Sequence, residues 1–552
     1  MGATNSTQRD VFLNTPKGAL RGITQIDCIT GQPVCTRYTR IPYALPPTGL
    51  RRWTRPAALP ADFSFNDLTT GEPGNYQEFG NVCPQPEYGH SAAVLENENA
   101  AEKVEMKQSE DCLYLNIWIP AGQAPEGGWP VQIYLHGGWL QVGDAMQSAN
   151  HDPFDLLKIY PRIIVSPTYR LNLFGFLASS ELAAESGSMS TGNFGFWDQR
   201  LAIEWVYANI SLFGGNPDNL SVGGLSAGAH SSIFQLHYDT YRPATERLIK
   251  RVFLFSNAVG IQPKATTSPE CQTQFDELLS VLDIPLSLPA SEKLAALRSI
   301  PDHELVSKIS ILKLHTFRAT TDGKFISPTF LQSIHDGSFT TLLAKHGVSI
   351  LLGEVANEAM LYRLVNPATS FSTMELQLNN YYPPAVTSAL VASYPLPLSS
   401  APEEEWVDIN AQVLGDCQVH AVIRGFANSL LDPPPGATPL PISSVHRYRI
   451  SWRAKGLDQW LDPKVLCCHA CDIPIWWLSG HRAGFEEKDE ETTRGLLDPF
   501  GQFLSGEEVQ WGTECREDIR HVLPDGKVVV MKDELWEEGL RIWRVMAKAQ
   551  GL

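Results

Sequence analysis

Gly224-Leu225-Ser226-Ala227-Gly228 sets a serine between two glycines, directly after the apolar run 220–223 and directly before a helix-forming stretch. A serine hydroxyl is presented as a nucleophile when the backbone turns sharply between a strand and a helix. Glycines tolerate such a turn where a side chain would meet the neighbouring strand or helix. Backbone N–H groups at the helix start then favour a developing anion. A second segment, His136-Gly137-Gly138-Trp139, follows the apolar run 131–135. Glycines at a strand end let backbone N–H groups approach a reacting carbonyl, as stabilising an oxyanion requires. Either segment alone is a common pattern. Together, in this order, they point to nucleophilic attack by Ser226 on a carbonyl.

Both segments need strands to hold them. Short apolar, β-branched runs bounded by turn residues recur at 131–135, 163–165, 220–223, 252–255, 348–352, 445–452 and 528–531. That pattern predicts strands. Helix-like stretches at 197–210, 227–237 and 533–549 alternate with them. The expected fold class is therefore α/β, a mostly parallel sheet flanked by helices. Some strand spacings are too wide for one crossover helix. Residues 260–345 and 360–440 are expected to be large helical or irregular insertions on one core, so that 1–552 form a single domain.

The chain has 552 residues, 43% hydrophobic and 19% charged, an ordinary globular balance. With 61 acidic against 43 basic residues its formal charge is −18, which disfavours nucleic acid as a partner. No run approaches the length of a membrane span. The polar residues 1–10 lack the apolar core of a secretory signal, so a cytoplasmic location is expected, or a secreted one if a signal has been removed. Gly2 with Ser6 fits the loose N-myristoylation pattern, although an ordinary flexible terminus is the plainer reading. The sequons at Asn5, Asn209 and Asn219 matter only in a secreted protein. Ten cysteines are too sparse for a disulfide scaffold.

The motifs resemble those of the type-B carboxylesterases, the carboxylesterase/cholinesterase/lipase family of α/β-hydrolases. Beyond the two segments above, the likeness rests on Ile41-Pro42-Tyr43-Ala44, Ser109-Glu110-Asp111-Cys112-Leu113-Tyr114-Leu115-Asn116, Tyr169-Arg170-Leu171, Gly192-Asn193, Asp198-Gln199 and Phe213-Gly214-Gly215-Asn216-Pro217. After about residue 360 it thins to isolated motifs. The resemblance implies an α/β-hydrolase fold and a Ser-Glu-His triad. It places the acid at Glu358 in the segment 353–359, with Glu354 as the nearby competitor. Of His420, His446, His469, His481 and His521, it selects His469, in Cys468-His469-Ala470-Cys471-Asp472. It also implies an oxyanion hole from the N–H groups of Gly138, Trp139 and Ala227, a disulfide between Cys83 and Cys112, and no cofactor. Cys28 and Cys35 could bridge a hairpin. The Cys467, Cys468, His469, Cys471 cluster also fits a zinc or C-x-x-C redox site. Zinc would need a fourth donor and would occupy the imidazole that catalysis needs, so no metal is expected.

Departures from the family pattern shape the expected substrate. Leu225 replaces the usual acidic residue before the nucleophile, which makes a cationic choline-type ester less suited. Trp139 stands where the family has a third glycine, so small acyl groups are expected. The stretch between Cys83 and Cys112 carries seven acidic residues and two lysines, a solvated face that favours soluble esters over lipid droplets. The expected activity is serine carboxylic-ester hydrolysis of a small-molecule ester. A lactonase or acyltransferase on the same triad is the alternative, as is a non-catalytic cholinesterase-like binding protein. Oligomeric state is left open.

Overall fold

Residues Ile163–Pro167 are buried at every position, and Trp129–Leu135 at its last five. Strands without an exposed face belong inside a sheet covered on both sides. The computed structural model bears out the α/β class. It describes residues 6–87, 106–146, 151–187, 192–365, 367–459, 461–479 and 486–552. Gly2, Asn5, His481 and most of the acidic stretch after Cys83 lie outside the described residues. The chain divides into two compact units, residues 1–86, 104–222 and 263–327 in one, and 87–103, 223–262 and 328–552 in the other.

The first unit contains β1 (Ser6–Thr15), β2 (Gly18–Asp27), β3 (Pro33–Pro42), β4 (Gly74–Asn75), β5 (Tyr114–Pro120), β6 (Trp129–Leu135), β7 (Ile163–Pro167) and most of β8 (Gly215–Leu225). Their order is β1-β2-β3-β5-β7-β6-β8, with β4 beside β2. From β1 through β2, β3 and β5 to β7 each successive pair is antiparallel, whereas β4 runs parallel to β2 and β6 parallel to β7. The antiparallel edge was not expected. Its β1 is polar and largely exposed, so it lacks an apolar run to announce it. The helix Phe194–Asn209 buries Phe194, Phe196, Ile203 and Val206 in this unit.

In the second unit β9 (Arg251–Phe255), β10 (Ser349–Val355), β11 (Val445–Ile450), β12 (Asp518–Val522) and β13 (Val528–Lys532) follow in that order. All pair parallel except β12 with β13. The stretch 260–345, most of which belongs to the first unit, and the stretch 360–440 of the second are mainly helical. One helix pair, Glu403–Gly415 and Ala421–Leu431, is joined through a π-helical turn, Asp416–His420. Arg424, on the second helix, is fully buried and binds both Glu354 oxygens (2.9 and 2.8 Å) and Asp533 (2.9 Å). Arg447 of β11 also pairs with Asp533. These buried charges tie helix, strand and C-terminal segment together.

Among the described residues, no helix is long and apolar enough to cross a membrane.

Candidate active site

Ser226 links β8 to the helix Ala227–Thr240 with φ 58° and ψ −121°. That backbone is costly for any residue carrying a Cβ and persists only where the surroundings enforce it. The Ser226 N–H donates to the Phe255 carbonyl (2.8 Å), and the His230 N–H donates to the Ser226 carbonyl (3.0 Å). The turn is thereby clamped between β9 and the first helical turn. Ser226 is half-buried while Leu225 and Ala227 are buried. A strict steric need for glycine lies one residue before the motif. A Cβ on Gly223 would stand 2.2 Å from the Phe253 carbonyl oxygen.

Glu358 follows β10 and is fully buried. Its Oε1 accepts the Val355 N–H at 3.0 Å, and its Oε2 lies 2.5 Å from His469 Nδ1. The loops carrying the pair are laced together. The Asn357 N–H donates to the Cys467 carbonyl (3.0 Å), and the Asn357 side-chain amide donates to the Val465 carbonyl (3.1 Å). With Nδ1–H turned to a carboxylate, the neutral ring keeps Nε2 as its acceptor. Burial pulls the His469 pKa down, but the Glu358 carboxylate overcomes it and the net shift is upward.

Asp472 is a titrating neighbour that the sequence offered only as motif flank. Burial pushes its carboxyl up to about 6, against the Trp476 indole N–H that it accepts at 2.8 Å. Trp476 in turn stacks on Phe255, at 4.4 Å and 10°. Phe255 holds the Ser226 N–H, so the serine turn and the histidine turn share one aromatic support.

The competing residues are engaged elsewhere. Burial opposes ionisation of Glu354, but Arg424 and His420 overcome it and hold its carboxyl well below the usual range. His420 Nδ1 lies 2.9 Å from Glu354. His446 is buried beside Phe503 and Trp511, its pKa lowered to about 4 by burial. His521 Nε2 lies 2.8 Å from Ser451 Oγ.

Gly138 and Trp139 belong to the first unit, Ala227 to the second. Gly138 has φ +103°, and a Cβ there would lie 2.0 Å from the Val142 carbonyl oxygen. Trp139 (φ 56°) and Leu140 (φ 67°) also adopt left-handed backbone. The Gln141 side chain fastens this loop, donating to the Phe317 carbonyl (2.5 Å) and accepting the Phe317 N–H (3.0 Å). His136 stacks on Tyr169 at 4.3 Å, and burial lowers its pKa to about 4. Other motif residues form buried ion pairs. Arg170 grips Asp198 at 2.7 and 2.8 Å, and Arg52 grips Glu110.

Cys83 and Cys112, for which the resemblance implies a disulfide, stand as free thiols. Both are buried thiols in contact, and the hydrogen bond with Cys83, with burial, pushes the Cys112 thiol well up. Cys83 Sγ also accepts the Leu171 N–H (3.3 Å). Cys28 is an exposed thiol, whereas Cys35 is buried and donates to Gln25 (3.1 Å).

A family model described as the carboxylesterase family matches residues 9–508. The chain is 40% identical over 548 residues to an uncharacterized esterase/lipase of Schizosaccharomyces pombe, covering 98% of this chain and 97% of that protein. It is 37% identical over 557 residues to a carboxylic ester hydrolase of Gibberella moniliformis, again covering 98% and 97%. A cholinesterase of Mus musculus matches at 32% identity over 264 residues, 48% of this chain and 40% of that protein. The chain belongs to the carboxylesterase family, with the α/β-hydrolase fold and ester hydrolysis as its chemistry.

Proposed function

We propose that this enzyme is a serine carboxylic-ester hydrolase working through an acyl-enzyme on Ser226, with soluble esters of small acyl groups as substrates. The observation that carries the reading is the 2.5 Å contact between His469 Nδ1 and Glu358 Oε2 on two interlaced loops. His469 Nε2 takes the Ser226 proton as the hydroxyl oxygen attacks the ester carbonyl. Glu358 holds the ring in the tautomer that leaves Nε2 basic and stabilises the imidazolium. The family motif assigns the oxyanion to the N–H groups of Gly138, Trp139 and Ala227. His469 then protonates the departing alcohol, and water attacks the acyl-enzyme with His469 again as base. Leu225 and Trp139 support the substrate preference. The first leaves no carboxylate beside the nucleophile, and the second puts an indole where the family has glycine.

A fluorophosphonate probe tests the reading. It should label the folded protein at Ser226, and labelling should vanish in Ser226→Ala. Absence of labelling in folded wild-type protein would overturn it.

A further inference from the structure

His469 lies between two cysteines, and the turn that holds it brings their sulfurs together. Cys468 Sγ and Cys471 Sγ are 3.4 Å apart. The Cys471 N–H donates to the Cys468 carbonyl (2.9 Å), which closes a tight turn. Such a turn keeps its end Cα atoms within about 7 Å, inside or at the edge of the range that a disulfide spans. Bond formation requires the sulfurs to close by only ~1.4 Å. Ala470, inside the turn, has φ 68°, and Leu466 just before it has φ 57°. This backbone is bent to one particular shape.

We propose that Cys468 and Cys471 form a reversible disulfide that lowers esterase activity by shifting His469 against Glu358. The effect on activity rests on the catalytic role proposed above for His469. The disulfide itself does not.

The surroundings favour this chemistry on Cys471. The hydrogen bond with Cys468 holds the Cys471 thiol below its usual range against burial, and the Arg453 guanidinium, 3.9 Å away, assists. Lower thiol pKa means more thiolate, the attacking form. Both cysteines are buried. Cys471 Sγ reaches the carbonyl of Leu466 (3.7 Å), a residue 62% exposed. A small oxidant such as hydrogen peroxide suits this access. The Cys471 thiolate attacks one peroxide oxygen, the O–O bond breaks, and hydroxide leaves and is protonated to water. Cys471 is then a sulfenic acid. Cys468 loses its proton and attacks Cys471 Sγ. The S–O bond breaks and a second water departs. Two thiols have given two electrons to the peroxide. A dithiol reductant reverses the bond by exchange.

The link to activity is mechanical. His469 sits inside the ring that the disulfide closes, and the neighbouring Cys467 carbonyl holds the Asn357 N–H. Tightening the turn moves the imidazole against a carboxylate fixed by Val355. Displacements near 1 Å at a reacting group cost up to about 10²-fold in rate. The expected loss is therefore about ten- to hundredfold.

The test uses full-length protein treated with hydrogen peroxide, unfolded, alkylated with N-ethylmaleimide and mapped by peptide mass. The expected result is one cross-link, Cys468 to Cys471. It should accompany a fall in p-nitrophenyl acetate hydrolysis that dithiothreitol restores, and Cys471→Ser should abolish both. Full alkylation of both thiols after peroxide, or a cross-link through Cys467, would overturn the proposal. So would a Cys468–Cys471 cross-link with unchanged turnover. The mass readout stands even if Cys471→Ser lowers basal activity. A failure of the hydrolase reading shows separately, as reduced protein that neither labels nor turns over.

Discussion

At the scale of single residues, the His469–Glu358 contact sets a pH dependence whose sign can be worked out. His469 must be neutral to act as base, and its pKa is shifted upward from 6.5 because Glu358 favours the imidazolium. The rising limb of kcat/KM against pH should therefore have its midpoint above 6.5. In Glu358→Gln that midpoint should move to lower pH, and the maximal rate should fall by as much as about 10⁴-fold. A midpoint that stays in place would mean that another group is titrating. Trp139 offers a second test. Its left-handed backbone is one that glycine adopts freely. Trp139→Gly should fold at least as well as wild type and should raise the rate on p-nitrophenyl octanoate relative to acetate. An unchanged chain-length profile would remove Trp139 as the determinant.

At the scale of elements, the Glu354–Arg424–Asp533–Arg447 cluster holds β10, β11, the helix Ala421–Leu431 and the segment after β13. Removing one member of such a buried network leaves unpaired charge, at a cost of about 3–5 kcal/mol. Arg424→Met should lower the unfolding midpoint in urea accordingly, and a loss below about 1 kcal/mol would show that the cluster relaxes or takes up water. Gly223→Ala probes the close approach of Gly223 to Phe253. Its methyl would lie 2.2 Å from the Phe253 carbonyl oxygen. Overpacking of this kind costs about 1–3 kcal/mol, read in the same urea titration.

At the scale of the whole molecule, buried histidines set the response to acid. Burial lowers the pKa of His136 and His446 to about 4 and of His237 to about 3. In the unfolded chain each titrates near 6.5. A depressed folded-state pKa contributes stability that is complete above 6.5 and is lost as pH falls towards the folded value. Asp472, raised to about 6, acts in the opposite sense, as do Asp322 and Asp416, both raised by burial. The lowered histidines outnumber them, with His151 also lowered to about 4 and His315, His335, His346 and His521 shifted the same way. Glu354 and Asp533, both lowered, add further loss only below about pH 4.5, where their unfolded forms take up protons. The thermal midpoint should therefore decline steadily from pH 6.5 to 4.5. A constant midpoint over that window would contradict the burial of these histidines.

Local features are legible in the order of residues alone. The strand–serine–helix turn at Ser226 is written in a few consecutive residues around the serine, with the steric demand for glycine falling at Gly223. The buried strands at 163–165 and 252–255 announce themselves as unbroken apolar runs, and 131–135 as one interrupted only by Gln132. The family likeness named Glu358 and His469, and Glu354, four residues earlier, is set against Glu358 only by its closeness to the strand end. The tertiary structure separates their surroundings. Glu354 meets Arg424, 70 residues away, and Glu358 meets His469, 111 away. The same holds for Cys83 and Cys112, which the structure keeps as thiols, and for the Phe255–Trp476 stack. It holds also for the 3.4 Å approach of Cys468 to Cys471, where spacing permits the contact but only the turn geometry makes it. The Glu354–Arg424, Glu358–His469 and Phe255–Trp476 pairings depend on packing between distant segments, and residue type at either end carries no record of the partner, whereas the Cys468–Cys471 approach is closed within one turn.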